Sequence, residues 1–348
     1  MKLRQHLWHL ATALSGLCAF FGLTACNSIE SFDNDNLGNF DALWTFVDRH
    51  YCFFEDKGVD WEAIGRKYRA EAAVAGSSDV LFDVMARMLD ELHDGHVNLS
   101  SWFRTSYYRK WWSDYPQNYE ERVVQQYYLD FAYRQIGTVT FAILQPYNVG
   151  YMRIPTFASA LGDSNIDAIL NYFSTCSALI VDVRDNGGGQ LTAVGQYVSR
   201  FIDRTVTAGY ILHKNGPGHD DFSEPFEIRY SPVKNHLRWT KPVAVLTNRS
   251  TFSAANNFVS IMKTLPNVVV VGATTGGGSG MPISSELPNG WGVRISACRI
   301  LDADGNDTEF GVKPTEGCEV DIKPEQTAAG IDPIIEKALV ACHGTAKQ

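Results

Sequence analysis

Apolar positions change their spacing several times along the chain, and each change predicts a different element. After a positive start at Lys2 and Arg4, an apolar run extends from Leu7 to Leu23, broken by His9, Thr12, Ser15 and Gly16. It is short of the about 20 predominantly apolar residues that a membrane-spanning helix needs. It exits through Leu23-Thr24-Ala25-Cys26. A charged start, a short apolar stretch and a small-residue exit predict a secretory signal peptide over residues 1–25. Residues 26–38 are polar and acidic and read as a tether. From Asn39 the spacing turns helical, with Phe40, Leu43, Trp44, Val47 and Tyr51 at steps of three and four. A second helix is predicted over 61–73. A third opens near Ser78 or Asp79, where caps are available, and puts Leu81, Val84, Met85, Met88, Leu89 and Leu92 on one face. Together they predict a small N-terminal helical domain over 39–99, closing with Leu92-His93-Asp94-Gly95-His96.

Residues 100–136 are crowded with aromatics, including Trp102, Tyr107, Tyr108, Trp111, Trp112, Tyr115 and Tyr119, and show no clear period. They read as a connecting segment. From Gly137 strands and helices alternate through a second domain, 137–343. Strands are predicted over 139–144, 149–154, 178–183, 243–246 and 268–271, and helices over 163–173, 190–202 and 253–264. The short, unbroken apolar runs Ala178-Leu179-Ile180-Val181 and Val268-Val269-Val270-Val271 are those of strands buried on both faces, as in α/β proteins.

The formal net charge is −9, and the leader holds Lys2 and Arg4 without any acid, so the processed chain is more acidic still. No basic stripe is present, which argues against a nucleic-acid partner. Cys26, at the leader's exit, resembles a bacterial lipobox cysteine. That resemblance implies a thioether-linked lipid, a membrane partner through that anchor, and a place in the bacterial cell envelope as an exported lipoprotein. Beyond it, Cys52, Cys176, Cys298, Cys318 and Cys342 are scattered, with no ligand spacing for a metal. A Cys298–Cys318 disulfide is conceivable in an exported chain, but most of the five read as small buried hydrophobes.

Three segments set a polar or glycine-rich feature where a predicted element ends. In Asp182-Val183-Arg184-Asp185-Asn186-Gly187-Gly188-Gly189 a strand runs into three glycines, which can turn with positive φ and present N–H groups to a negative oxygen. No phosphate-loop spacing accompanies them. In Thr251-Phe252-Ser253-Ala254-Ala255 a serine begins a helix. Such a serine is ordinarily an N-cap, yet its hydroxyl also lies beside free N–H groups that would favour an oxyanion. In Asp94-Gly95-His96 a histidine supplies the base that titrates nearest neutrality.

These three stretches, in this order, resemble the signatures of the C-terminal-processing (tail-specific) serine peptidases. Val149-Gly150-Tyr151-Met152-Arg153-Ile154-Pro155 is similar to the strand opening that family's core, and Glu309-Phe310-Gly311-Val312-Lys313-Pro314 to its closing stretch. The resemblance implies an α/β fold with a crotonase/ClpP-like core of repeated β-β-α units and no cofactor. It implies Ser253 as nucleophile, an oxyanion hole from Ala254 and Gly188, and Gly187, Gly189 and Gly277 against the substrate, which would be a peptide or unfolded protein segment. One branch of the family uses a Ser-Lys dyad, but Gly278 stands where that lysine would fall. The tricorn-like branch uses a histidine and a glutamate, which His96 and Glu309 would supply, with Glu309 orienting the imidazole. Arg184 and Asp185 would hold the glycine turn.

The stretch between His96 and Val149 is too short for a peptide-docking PDZ module, since domains run to about 50–250 residues and need linkers as well. Substrates would then enter between the helical unit and the core. Ser279, in Gly278-Ser279-Gly280, lacks nucleophile-elbow spacing and reads as part of a loop. The rival reading is an inactive ligand- or peptide-binding lipoprotein on the same scaffold, favoured by the absent lysine, the aromatic segment and Asn256 where the family usually has glutamate. An acyl-CoA enzyme is disfavoured by export.

Overall fold

The first helix starts earlier than its apolar spacing indicates, because Asp35 caps it. In the computed structural model, which describes residues 31–345, the Asp35 carboxylate accepts the Gly38 N–H at 2.7 Å and α1 runs Asn36–His50. The last part of the expected tether is therefore helical; the leader and Cys26 lie outside the described residues. Helices α2 (Trp61–Ala73) and α3 (Ser78–Asp90) are capped by Asp60 and Ser77, whose oxygens take an orphan N–H of the first turn. The faces of all three helices share one hydrophobic cluster with Leu287, Trp291, Val293 and Ile295. The helical layer is thus a cover for a sheet, and from Phe32 onward the chain forms one compact unit.

The aromatic segment contains only short elements: β1 (Asn98–Ser100), α4 (Lys110–Ser113), α5 (Glu121–Val123), a π-helical turn (Val124–Tyr128) and β2 (Arg134–Ile136). The alternating region follows as β3 (Val139–Leu144), β4 (Val149–Arg153), α6 (Asp163–Tyr172), β5 (Ala178–Asp182), α7 (Leu191–Val198), β6 (Val206–His213), β7 (Phe226–Tyr230), β8 (Val243–Thr247), α8 (Ala254–Lys263), β9 (Val268–Gly272), β10 (Gly280–Glu286) and β11 (Gly292–Leu301). Helices α9 (Pro324–Ala328) and α10 (Pro333–Thr345) close the chain. One sheet has the order β2-β3-β4-β5-β8-β9, with β4, β5, β8 and β9 parallel. The other is antiparallel, in the order β1-β11-β6-β7, with β10 also paired to β11.

Burial explains the unbroken apolar strands. Leu179 and Val181 of β5 face α6, α7 and α8, while Ala178 and Ile180 face Ile334, Ile335 and Leu339 of α10. Each fully buried aliphatic side chain stabilises this layering by roughly 1.5–3 kcal/mol. Arg184, fully buried just beyond β5, is held by Asp182 at 2.6 Å and by Asp332, before α10, at 2.7 Å. Asp185 exchanges hydrogen bonds with Asn248, its N–H donating at 3.0 Å and its carboxylate accepting at 2.7 Å. The glycine turn is thereby fastened to the serine turn. The five cysteines of the described residues are buried, as small hydrophobes are, and the Cys298–Cys318 disulfide does not form: the two lie in different clusters.

Candidate active site

Parallel strands place their following loops at one end of a sheet, where α/β sites form. Three adjacent strands here, β5, β8 and β9, deliver the glycine turn, the Ser253 turn and the loop 273–279 to that end. An isolated parallel bridge ties Phe252 to Gly277, and the Ser253 N–H donates to the Gly277 carbonyl at 2.8 Å. Ser253 takes φ 57° and ψ −123°. A non-glycine residue in that region costs on the order of 1–3 kcal/mol and persists only where its surroundings impose it. Its side chain makes no capping bond to α8. Instead Ser253 Oγ lies 2.9 Å from His96 Nε2, although the two are 157 positions apart.

His96 reaches this place in the turn just before a short strand. Beyond it, β1 pairs with β11, Asn98 opposite Arg294. Asp94 accepts the His96 backbone N–H at 2.8 Å and also takes the hydroxyls of Tyr51 at 3.0 Å and Ser296 at 2.9 Å. The ring packs on Phe252 with centroids 4.7 Å apart, and Trp111 of the aromatic segment stacks on Phe252 at 4.1 Å. Trp111 leaves no room for side chains at Gly95 or Gly276, where a Cβ would come within 2.5 Å and 2.4 Å of its ring. Arg249 holds this strap by donating to the Trp111 carbonyl at 2.6 Å and to the Thr275 carbonyl at 2.9 Å.

Burial lowers the imidazole pKa to about 4; Asp94 acts in the opposite direction, and Arg294 and Lys57 add to the lowering. The ring is neutral at physiological pH, as a proton acceptor must be. With Nε2 facing the hydroxyl, Nδ1 is buried and has no partner among the described residues.

The expected contact between Glu309 and His96 is not made. Glu309 is buried beside the site, but its Oε1 lies 2.8 Å from Lys57 Nζ and its Oε2 accepts the Ser279 N–H at 2.9 Å. A buried ammonium is the stronger partner, since both charges would otherwise be unpaired. Burial and then Asp94 push the Glu309 carboxyl up to about 7 against the pull of Lys57. Ser279 is no rival nucleophile: its hydroxyl donates to Asp307 at 2.9 Å.

Ala254, at the first position of α8, has an N–H without an intrahelical acceptor, as the oxyanion role requires. Gly188 is in place but not as expected. Its N–H donates to Asn186 Oδ1 at 2.9 Å, while its Cα abuts the nucleophile turn. Gly189 and Ser253 line one cavity of about 330 Å³, whose walls include Leu191, Met281, Pro282 and Ile300 and carry no charged side chain. Gly278, where the dyad lysine would stand, lines it too. Gly277 meets the backbone of Glu309, and Gly187 has open space around it. Asn256 is structural: it donates to Thr308 and accepts from Thr275 at 2.6 Å. The residues that sequence reasoning missed are Lys57, Tyr51, Ser296 and Trp111.

Gly188 carries a testable consequence. At φ 99°, a Cβ would stand 2.7 Å from the Phe252 carbonyl oxygen and 2.8 Å from Ser253 Cβ. Gly188→Ala is expected to force the glycine turn away from the Ser253 turn, moving the neighbouring Gly189 N–H, and to lower kcat/KM by about 10²–10³-fold, as much as loss of an oxyanion donor costs. Circular dichroism on the same protein should show a folded chain.

The model of peptidase family S41 matches residues 148–317, and that of the tricorn protease C1 domain matches residues 32–90. A crystal structure described as a candidate peptidase from Parabacteroides merdae ATCC 43184 is 42% identical, with a TM-score of 0.84, over 89% of this chain and 97% of that one. The chain belongs to peptidase family S41. Carboxy-terminal processing protease CtpA of Bacillus subtilis is 26% identical over 175 residues, 50% of this chain and 35% of that protein. This S41 chain thus matches about a third of the length of that curated relative. Mature CPAF, at 13% identity and a TM-score of 0.65 over 90% of this chain and 96% of that one, shares the fold. The S41 core is the expected α/β, crotonase/ClpP-like one, and S41 enzymes are serine peptidases.

Proposed function

We propose that the protein is a serine-type endopeptidase or carboxyl-terminal processing peptidase acting on peptides or unfolded protein segments. The observation that carries this is the 2.9 Å approach of His96 Nε2 to a Ser253 hydroxyl that caps nothing. Ser253 Oγ attacks the scissile carbonyl carbon as its proton passes to Nε2. The oxyanion lies against the Ala254 N–H, with the second donor from the turn at Gly188 and Gly189, where Gly189 has no protein acceptor among the described residues. Nε2 returns the proton to the leaving amine. Water then attacks the acyl-serine, again giving its proton to Nε2, and hydroxyl and carboxylic acid part. Glu309 supports the loop beside the nucleophile.

The uncharged cavity beside Ser253 suits an uncharged, apolar side chain at the cleavage site. Digestion of unfolded casein, with the new termini read by mass spectrometry, tests this. Cleavage after apolar residues is expected, and blockade by a fluorophosphonate. Intact casein under conditions where the protein is folded would favour the ligand-binding reading. The processed protein is further proposed to be an exported bacterial lipoprotein anchored through Cys26, as the leader pattern supports. Metabolic lipid labelling that survives Cys26→Ala would refute the anchor.

A pH profile offers an independent check. The imidazole titrates at about 4, so the acid limb set by the base should lie well below 6.5. Because Glu309 titrates near 7, the limb is read in Glu309→Gln as well, where the imidazole alone remains in that range. A limb at the ordinary histidine value in both proteins would contradict the assignment. Stability follows the same sign: the unfolded chain binds the extra proton between the two values. Folding therefore weakens as pH falls through that window through His96.

A further inference from the structure

Lys57 lies in the turn after α1, within Glu55-Asp56-Lys57-Gly58, yet its side chain is only 7% exposed. Its Nζ is 2.8 Å from Glu309 Oε1 and 3.6 Å from Asp94 Oδ2, and it donates to the His93 carbonyl at 3.2 Å. Each carboxylate has its other oxygen on a different half of the site. Asp94 Oδ1 accepts the backbone N–H of His96, the base. Glu309 Oε2 accepts the N–H of Ser279, and the Glu309 carbonyl accepts that of Gly278 at 3.2 Å. The adjoining Gly277 carbonyl receives the N–H of Ser253, the nucleophile.

We infer that Lys57 is a positioning residue for the peptidase reaction: its ammonium binds the Asp94 and Glu309 carboxylates as one buried unit and thereby seats the His96 imidazole against the Ser253 hydroxyl. The inference rests on the Ser253–His96 reading. Among the described residues no other cation forms an ion pair with either carboxylate. Asp94 would remain supported without it, by Tyr51, Ser296 and the His96 N–H. Glu309 would keep only the Ser279 N–H, with Asp307 a further negative charge beside it and Arg299 engaged by Asp307 and Asp56. Arg294 donates to the His96 carbonyl and to Asn98 Oδ1, each at 3.5 Å, and to neither carboxylate. Removing the ammonium leaves two like charges in one buried place. They must then separate, or one must take up a proton.

The sign of the pH effect follows. Without Lys57 both carboxyl groups bind protons more readily, so towards pH 6 one of them is protonated and the repulsion is relieved, while rising pH drives the site into the mutually repelling two-carboxylate state. The test is the rate at which a fluorophosphonate labels Ser253 between pH 6 and 9. It is measured in wild type, Lys57→Met, Glu309→Gln and the double variant, with thermal melts showing which proteins fold. Lys57→Met is expected to label at least about tenfold more slowly at pH 8, the deficit shrinking towards pH 6. In the Glu309→Gln background the same change should alter the rate by less than about threefold, the charge conflict being gone. A wild-type rate and profile in Lys57→Met overturns the inference. So does a pH-independent loss that is as large in the Glu309→Gln background, which is what a merely structural lysine would give. Should Lys57→Met alone not fold, the comparison within the Glu309→Gln background decides, a loss above about tenfold overturning it. A wild-type protein that does not label removes the Ser253 reading itself, which distinguishes that failure from this one.

Discussion

Ser253→Ala abolishes hydrolysis, with kcat/KM expected to fall by about 10⁴-fold or more and covalent labelling lost entirely. The reason is that among the described residues no second nucleophile is hydrogen-bonded to the base. The neighbouring Ser279 gives its hydroxyl to Asp307, and the dyad lysine used elsewhere is replaced by Gly278. Stability should scarcely change, because Ser253 makes no capping bond to α8 and its backbone holds positive φ through the Gly277 carbonyl whichever side chain it bears. The expected shift is within about 1 kcal/mol in chemical denaturation. A variant that loses activity and also melts far below wild type would mean that the serine is structural.

Removing the base should cost nearly as much. His96→Gln, which keeps most of the ring's volume against Phe252, is expected to lower kcat/KM and the labelling rate together by about 10²–10⁴-fold, the contribution of a positioned general base. Both readouts depend on the same proton leaving Ser253 Oγ, so they must fall in parallel. Retained labelling with lost hydrolysis would place His96 at a later step or outside the chemistry. Restoration by imidazole added to a smaller variant, His96→Ala, would point to the proton transfer itself, since the ring occupies a buried pocket that such a variant leaves empty.

Much of the core was legible because burial on both faces writes itself into composition. The runs that became β3, β4, β5, β8 and β9 are short and apolar, and helices α6, α7 and α8 follow from the periodic segments between them. The antiparallel sheet was not legible. Its strands β6, β7 and β10 mix exposed and buried positions, and β10 carries Pro282 at a register shift against β11. The C-terminal helix α10 was missed too; its place was fixed by packing against β5, β8 and β9, a tertiary fact. The helical layer shares its apolar face with β11 and the loop before it, a contact that the periodicity of the helices alone does not reveal.

In the site, Ser253 and His96 could be paired because each stood in a short, unusual motif at an element's end. The third member could not be settled the same way. Glu309 lies close by, but which cation or imidazole it faces depends on Lys57, brought in from a turn whose sequence looks exposed. Trp111 was hidden among equally aromatic neighbours, and nothing in its local pattern marks it as the ring that stacks on Phe252. The Gly188 amide was expected at the oxyanion and is instead donated to Asn186, a bond fixed by a side chain two residues away whose rotamer no periodicity reveals.

Incubation of the folded protein with a fluorophosphonate, followed by peptide mapping, asks most directly whether an imidazole drawn in from the helical layer activates a hydroxyl on the sheet. One adduct per chain on Ser253, slowed strongly in His96→Gln, is the result expected. An unmodified Ser253, or modification at the same rate with the imidazole gone, would contradict it.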